Sequence, residues 1–230
     1  LKYDSVYGRY EKTVEARDKA LVVDGKEYEV LNVKDPAELP WKEKQVDIVL
    51  ECSGVFTTKE GMEKHLRAGA KHVILSAPAK DDDVPTFVHG VNELAEEAPL
   101  LSCASCTTNC ITPVVEVIGR RIGIEKAIMT TLHAYTSSQK IVDGPSKKWR
   151  RGRAAAANFV PTSTGAAVAT TKALPQFRGK FDGIAVRAPV PIGSIADIVF
   201  LTSRPVTVEE INDIFREEAR SERYRGILGA

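Results

Sequence analysis

The residues best suited to chemistry lie together in Ser102-Cys103-Ala104-Ser105-Cys106-Thr107-Thr108-Asn109-Cys110, which holds three of the chain's four cysteines. An apolar, β-rich run ends there and an apolar helical run begins, so the stretch reads as a strand-to-helix turn. A thiol at a helix N-terminus feels the positive end of the macrodipole and unpaired amide donors, both of which favour thiolate. Cys106 is therefore the candidate nucleophile. Pro113 also suits a first helical position, and a helix beginning there would leave Cys106 a turn or two upstream. Both starts are compatible with the residues. Cys52, Cys103 and Cys110 read as small apolar core residues, the usual state of a free cysteine.

The surrounding elements set the frame. Residues 20–33 carry two β-rich runs around Asp24-Gly25, a pair that favours a type I′ hairpin. A strand over Gln45–Cys52, a helix over Thr58–Ala70 and a strand over His72–Ser76 make a β-α-β unit with a parallel pair. Short strands are expected at Thr86–Val88 and Leu100–Cys103. A helix to about Arg121 follows, then a strand over Ile124–Ala134. The polar stretch Tyr135–Arg153 is too long for an idle connection. A small-residue helix from Thr164, strands near Gly183–Val190 and Ile195–Thr202, and a charged helix over Val208–Arg220 complete the chain. The expected class is α/β: an incomplete Rossmann-like dinucleotide-binding domain over 1–105, followed by an α+β catalytic domain with a mixed or antiparallel sheet over 106–230.

Composition bounds the partners. The 32 basic and 31 acidic residues balance, which gives no bulk electrostatic reason to seek nucleic acid or an anionic membrane. No apolar run approaches the roughly 20 residues that span a bilayer. The cysteine spacing fits neither a secreted disulfide framework nor a zinc site, so no metal is expected and a reducing, cytoplasmic setting is.

The Ser105-Cys106-Thr107-Thr108-Asn109 run resembles the active-site motif of phosphorylating glyceraldehyde-3-phosphate dehydrogenases. The likeness extends from Lys2-Tyr3-Asp4-Ser5 through Ser53-Gly54-Val55-Phe56-Thr57 and Ser76-Ala77-Pro78 to Gly226-Ile227-Leu228-Gly229. It implies oxidation of glyceraldehyde 3-phosphate to 1,3-bisphosphoglycerate, with Cys106 adding to the aldehyde. His133, in Thr131-Leu132-His133-Ala134-Tyr135-Thr136, matches the family's catalytic histidine. By itself a strand-end histidine reads as structural, as His65, His72 and His89 do.

The resemblance also implies two anion sites. Thr136 and Arg187 match the site for the substrate's own phosphate, and Ser105, Thr107, Thr164 and Gly165 match that for inorganic phosphate. Arg153, closing the basic run Lys147-Lys148-Trp149-Arg150-Arg151-Gly152-Arg153, matches a further phosphate-site arginine. Arginine's planar fork suits phosphate oxygens. Two departures stand out: Ser138 where the family often has an acidic residue, and Ala188-Pro189-Val190-Pro191-Ile192-Gly193-Ser194 where it commonly has threonine and asparagine.

For the cofactor, no G-x-G-x-x-G occurs, and in the family that turn precedes the first residue of this sequence. The first β-α-β unit and a C-terminal part are therefore expected to lie outside the chain, leaving a poorly folding, poorly active fragment. Ser53, Gly54, Phe56 and Ser76 match the remaining cofactor contacts, with NAD implied and NADP still open. The family forms homotetramers in which Tyr135–Arg153 nears a neighbouring cofactor. Two other readings share these residues: a dehydrogenase of erythrose 4-phosphate, and a noncatalytic thiol-bearing module.

Overall fold

The computed structural model describes residues 1–94 and 98–230. Two short strands, β1 (Tyr3–Asp4) and β2 (Gly8–Arg9), form a small ladder. β3 (Val14–Arg17), β4 (Ala20–Val23) and β5 (Lys26–Glu29) form an antiparallel sheet. Val23 pairs with Lys26 across Asp24-Gly25, whose φ values are 53° and 78°. Positive φ at both central positions defines the type I′ turn that the sequence favours.

β6 (Ile48–Glu51), α1 (Lys59–Arg67), β7 (His72–Leu75) and β8 (Leu100–Ser102) build a three-stranded parallel sheet in the order β6-β7-β8. The Thr58 side chain caps α1 by accepting from Gly61 N–H at 3.2 Å. Buried Met62 of α1 packs in one core with Val49, Val73, Leu75 and Leu100. The strand expected at Thr86–Val88 is not formed. Only Thr86 bridges Ser102, because the Asn92 side chain accepts from Val88 N–H and donates to the Thr86 carbonyl, replacing a ladder partner.

Beyond β8 come α2 (Cys106–Arg121), β9 (Ile124–Ala134), β10 (Val160–Ser163), α3 (Ala166–Ala173), β11 (Phe181–Ala188), β12 (Ser194–Thr202) and α4 (Val208–Arg220). The sheet order is β10-β11-β9-β12. β11 runs parallel to β9, and the two outer pairings are antiparallel. Alternation on β9 and β12 turns Ala127, Met129, Ile198 and Phe200 toward the helices, where they meet Ile111, Val115 and Ile118 of α2. The opposite face leaves Ile128, Ile184, Ile195, Val199 and Leu201 exposed.

Two buried carboxylates, Glu116 and Glu218, tie α2 to the C-terminal end through partly exposed arginines. Arg120 donates to Glu116 and Glu218 at 2.8 Å each, Arg121 to Glu218 at 2.6 Å, and the Tyr224 hydroxyl to Glu116 at 2.6 Å. These contacts hold the Glu218 carboxyl below its ordinary range, Arg120 being the largest cause, and burial with the Glu116 contact raises the Tyr224 phenol.

Candidate active site

The chain reverses between β8 and α2 through buried Ala104, a non-glycine residue at φ 58°. Such left-handed backbone is costly for an L side chain and needs support. The Cys103 N–H donates to the Leu75 carbonyl at 2.9 Å and the Ala104 N–H to Ser102 Oγ at 3.0 Å. From the helix side, Asn109 Nδ2 donates to the carbonyls of Cys103 and Ser105 at 2.7 and 2.9 Å. Ser105 is the N-cap, its Oγ accepting from Thr108 N–H at 3.2 Å.

Cys106 is thus the first helical residue, which decides between the two helix starts. Pro113 lies inside α2, where its missing N–H leaves out one backbone bond of the ladder. Cys106 is exposed at the first turn of α2, while Cys103 is half-buried and burial pushes its thiol up. Cys52 and Cys110 are exposed too, so neither is the apolar core residue expected of a free cysteine: one follows the end of β6 and the other lies on the open side of α2, one turn on from Cys106.

His133, one residue from the end of β9, brings Nε2 to 3.5 Å from Cys106 Sγ. Its register partner on β11 is Arg187. Arg187 Nη1 lies 2.7 Å from His133 Nδ1, and the Ala134 carbonyl lies 2.8 Å from that same nitrogen. Nδ1 cannot accept from the guanidinium and donate to the carbonyl at once. With Arg187 donating, Nε2 carries the proton and points it at sulfur. With Nδ1–H donating to Ala134, Nε2 is free to take a proton.

A cavity of about 220 Å³ surrounds this pair, lined by Ser105, Cys106, Thr107, His133, Thr164, Gly165, Arg151 and Arg187, with Pro78 and Thr131 among the remaining walls. Two guanidinium groups enter it, and its lining contains no carboxylate. Burial, then the charge of Arg151, lowers the Arg187 pKa below the ordinary range. Among the described residues, Arg187 Nε and Thr131 Oγ1 are buried without a hydrogen-bond partner. Such a donor set suits an anionic ligand. A larger hollow of about 530 Å³ lies against Lys126, Ile128, Phe181 and Val199, but it holds no nucleophile or titratable pair of this kind.

Arg153 does not reach the cleft. Its guanidinium pairs with Asp143 at 2.5 Å on the surface, and Arg151 takes the inward position instead. The reason is local: Trp149–Gly152 is a single 3-10 turn, in which neighbouring side chains point about a third of a revolution apart. Arg151 donates from Nε to Thr162 Oγ1 at 3.2 Å and from Nη1 to Ser138 Oγ at 3.4 Å. Thr136 is outside the lining, and its hydroxyl meets Ser138 Oγ at 2.8 Å. Ser138 therefore links Thr136 to Arg151.

The four expected cofactor residues lie around the carboxyl ends of β6 and β7, where parallel sheets take ligands. The Ser53 hydroxyl donates to Glu51, and its N–H donates to the same carboxylate oxygen at 2.7 Å. Ser76 Oγ donates to the Glu51 carbonyl at 3.2 Å. Phe56 stands edge-on to His65 with ring centroids 6.4 Å apart. Gly54, at φ 72°, has no atom within 4 Å of where a Cβ would stand. The open backbone at Gly54 fits a dinucleotide, while both serine hydroxyls are spent on bracing the turn. Among the described residues, no group of three or more His, Cys, Asp and Glu side chains forms a metal site, and no helix is long and apolar enough to cross a membrane.

Comparison with known proteins agrees with a two-part NAD-dependent oxidoreductase. Residues 1–59 match the family model "Glyceraldehyde 3-phosphate dehydrogenase, NAD binding domain", and residues 105–230 match the corresponding C-terminal domain. The chain is 49% identical to glyceraldehyde-3-phosphate dehydrogenase of Streptomyces coelicolor, with 99% of this chain and 68% of that protein aligned. Against glyceraldehyde-3-phosphate dehydrogenase 2 of Bacillus subtilis it is 48% identical over 99% of this chain and 67% of that one. Against the chloroplastic A form of Chlamydomonas reinhardtii it is 47% identical over 99% of this chain and 62% of that one. The chain belongs to the glyceraldehyde-3-phosphate dehydrogenase family and spans about two thirds of the length of these relatives.

Proposed function

We propose that the protein oxidises and phosphorylates D-glyceraldehyde 3-phosphate in glycolysis through a covalent intermediate on Cys106. The observation that carries the reading is the 3.5 Å approach of His133 Nε2 to a sulfur at a helix N-terminus, in a cleft with two arginines and no acid. NAD, when bound, accepts the hydride.

Cys106 thiolate forms a bond to the aldehyde carbon, and the developing oxyanion is held by the Nε2–H of His133. His133 is also the group that takes the thiol proton when sulfur must be ionised. Loss of the carbon-bound hydrogen with its electron pair leaves a thioester on Cys106. Oxygen of inorganic phosphate then attacks the carbonyl carbon, the C–S bond breaks toward sulfur, and the thiolate returns.

Arg187 and Thr136 serve the substrate's phosphate. Ser105, Thr107, Thr164 and Gly165 serve inorganic phosphate, with Arg151 bridging the two. The division into a dinucleotide-binding unit over 1–105 and a catalytic unit over 106–230 belongs to the same reading. So do a cytoplasmic setting and association as a homotetramer, for which the exposed apolar face of Ile128, Ile184, Ile195, Val199 and Leu201 is the support.

The test is phosphate-dependent reduction of NAD with glyceraldehyde 3-phosphate, followed by trapping of acyl-enzyme and mapping of its site. Acyl transfer to Cys106 is expected. Labelling at Cys110 or Cys52 instead would defeat the assignment, as would faster turnover of erythrose 4-phosphate.

A further inference from the structure

From the carboxyl end of β6 inward runs a buried relay with no part in the sulfur chemistry. Glu51 and His65 are 5% and 4% exposed. Trp41 Nε1 donates to His65 Nδ1 at 3.1 Å, and His65 Nε2 meets Glu51 Oε2 at 3.0 Å. Indole nitrogen can only donate, so Nδ1 must be bare and Nε2 must carry the proton. The tautomer is fixed from one end of the relay. The other carboxylate oxygen of Glu51 accepts both the N–H and the hydroxyl of Ser53, and Ser53 Oγ in turn accepts from Val55 N–H at 3.1 Å. Burial opposes the charge on Glu51, yet the Ser53 and His65 contacts outweigh it and hold the carboxyl below its ordinary range. A buried anion with three donors is a directional anchor, and what it anchors is the turn at Ser53-Gly54-Val55.

We propose that Glu51, oriented by His65 and Trp41, is a positioning residue that holds the Ser53-Gly54 turn in the shape that receives NAD. The inference rests on the functional reading only for the identity of the cofactor. Replacing one carboxylate oxygen by an amide tests the relay, because an NH2 facing His65 Nε2–H sets donor against donor. The opposite tautomer moves that conflict to Trp41, and turning the amide over moves it to Ser53.

In the full chain, E51Q is expected to weaken NAD binding by about tenfold or more, measured by calorimetric titration, on the scale of one lost charge-assisted hydrogen bond. S53A, at an exposed position, should weaken it by about threefold, and W41F by less. The rate at which iodoacetamide alkylates Cys106 without NAD should stay within about twofold of the parent, which a general loss of structure would not allow. NAD affinity unchanged in both E51Q and S53A overturns the proposal, as does alkylation altered in step with affinity. If E51Q does not fold, His65→Asn, which breaks the relay away from the expected cofactor contacts, decides by the same criterion. A parent that binds NAD but does not oxidise glyceraldehyde 3-phosphate defeats the functional reading and leaves this inference standing.

Discussion

Two histidines show how differently this chain treats the same side chain. At His65 each ring nitrogen has one partner of one kind, a tryptophan donor on one side and a carboxylate on the other. At His133 one nitrogen faces both a guanidinium and a carbonyl, and the other faces a thiol. The first arrangement has a single satisfied proton pattern and acts as a brace. The second has two patterns of similar geometry, which is what a group that exchanges protons during turnover requires.

The comparison is broken most directly at the sulfur that only His133 touches. Cys106→Ser is expected to lower kcat by roughly 10⁴-fold or more, whereas Cys110→Ser, one turn along the same helix, should stay within about threefold. Equal losses in folded variants would mean that helix position does not select the nucleophile. His133→Asn should reduce kcat by about 10²–10⁴-fold at unchanged melting temperature. His65→Asn should do the reverse, leaving kcat within about threefold while lowering the melting temperature and NAD affinity.

The arginines sharpen the contrast between a cleft residue and its neighbour. Arg151→Ala is expected to raise the KM for phosphate-bearing reactants by about 10–100-fold, on the scale of a lost charged hydrogen bond, and Arg153→Ala by less than about twofold. Arg187→Ala should raise the aldehyde KM far more than that for NAD. Steady-state kinetics with each reactant varied separately checks all three.

The smallest effect is expected from another fully partnered carboxylate, Glu218. Its folded pKa lies below the ordinary 4.5, so it binds protons less readily folded than unfolded. The stability it contributes is therefore complete above about pH 4.5 and is lost as pH falls through the depressed value. Glu218→Gln should lower stability on the order of 2 kcal/mol at pH 7 and flatten the decline of melting temperature below pH 4.5. An unchanged acid limb would separate the ion network from acid stability.

Much of this was legible in residue types. The Asp24-Gly25 turn, the helix beginning near Thr58 and the strands at Ile124–Ala134 and Ile195–Thr202 follow from local patterns, and local patterns survive folding. The Cys106 motif and His133 were recognisable by resemblance, but their approach depends on β9 lying beside the α2 terminus, which no spacing encodes. Pro113 pointed to a later helix start because it is favoured at first helical positions. It lost to Ser105 and Asn109, whose side chains grip the turn. Arg153 was matched to a phosphate-site arginine by resemblance, and nothing in a run of basic residues reveals the phase of the single 3-10 turn that puts Arg151 in the cleft instead. Glu51 and His65 carried a faint signal, an acid ending an apolar strand and a histidine on the apolar side of an amphipathic helix, and only coordinates join them.

The parallel ladder between β9 and β11 pairs eight residues without interruption, and its next-to-last rung is His133 with Arg187. Adding or deleting one residue in either strand would carry one member of that rung to the opposite side of the sheet and dissolve the site without touching a reactive atom. Length changes in descendants of this gene should therefore be confined to the connections, such as the stretch between Tyr135 and Arg153, while these two strands keep a fixed count.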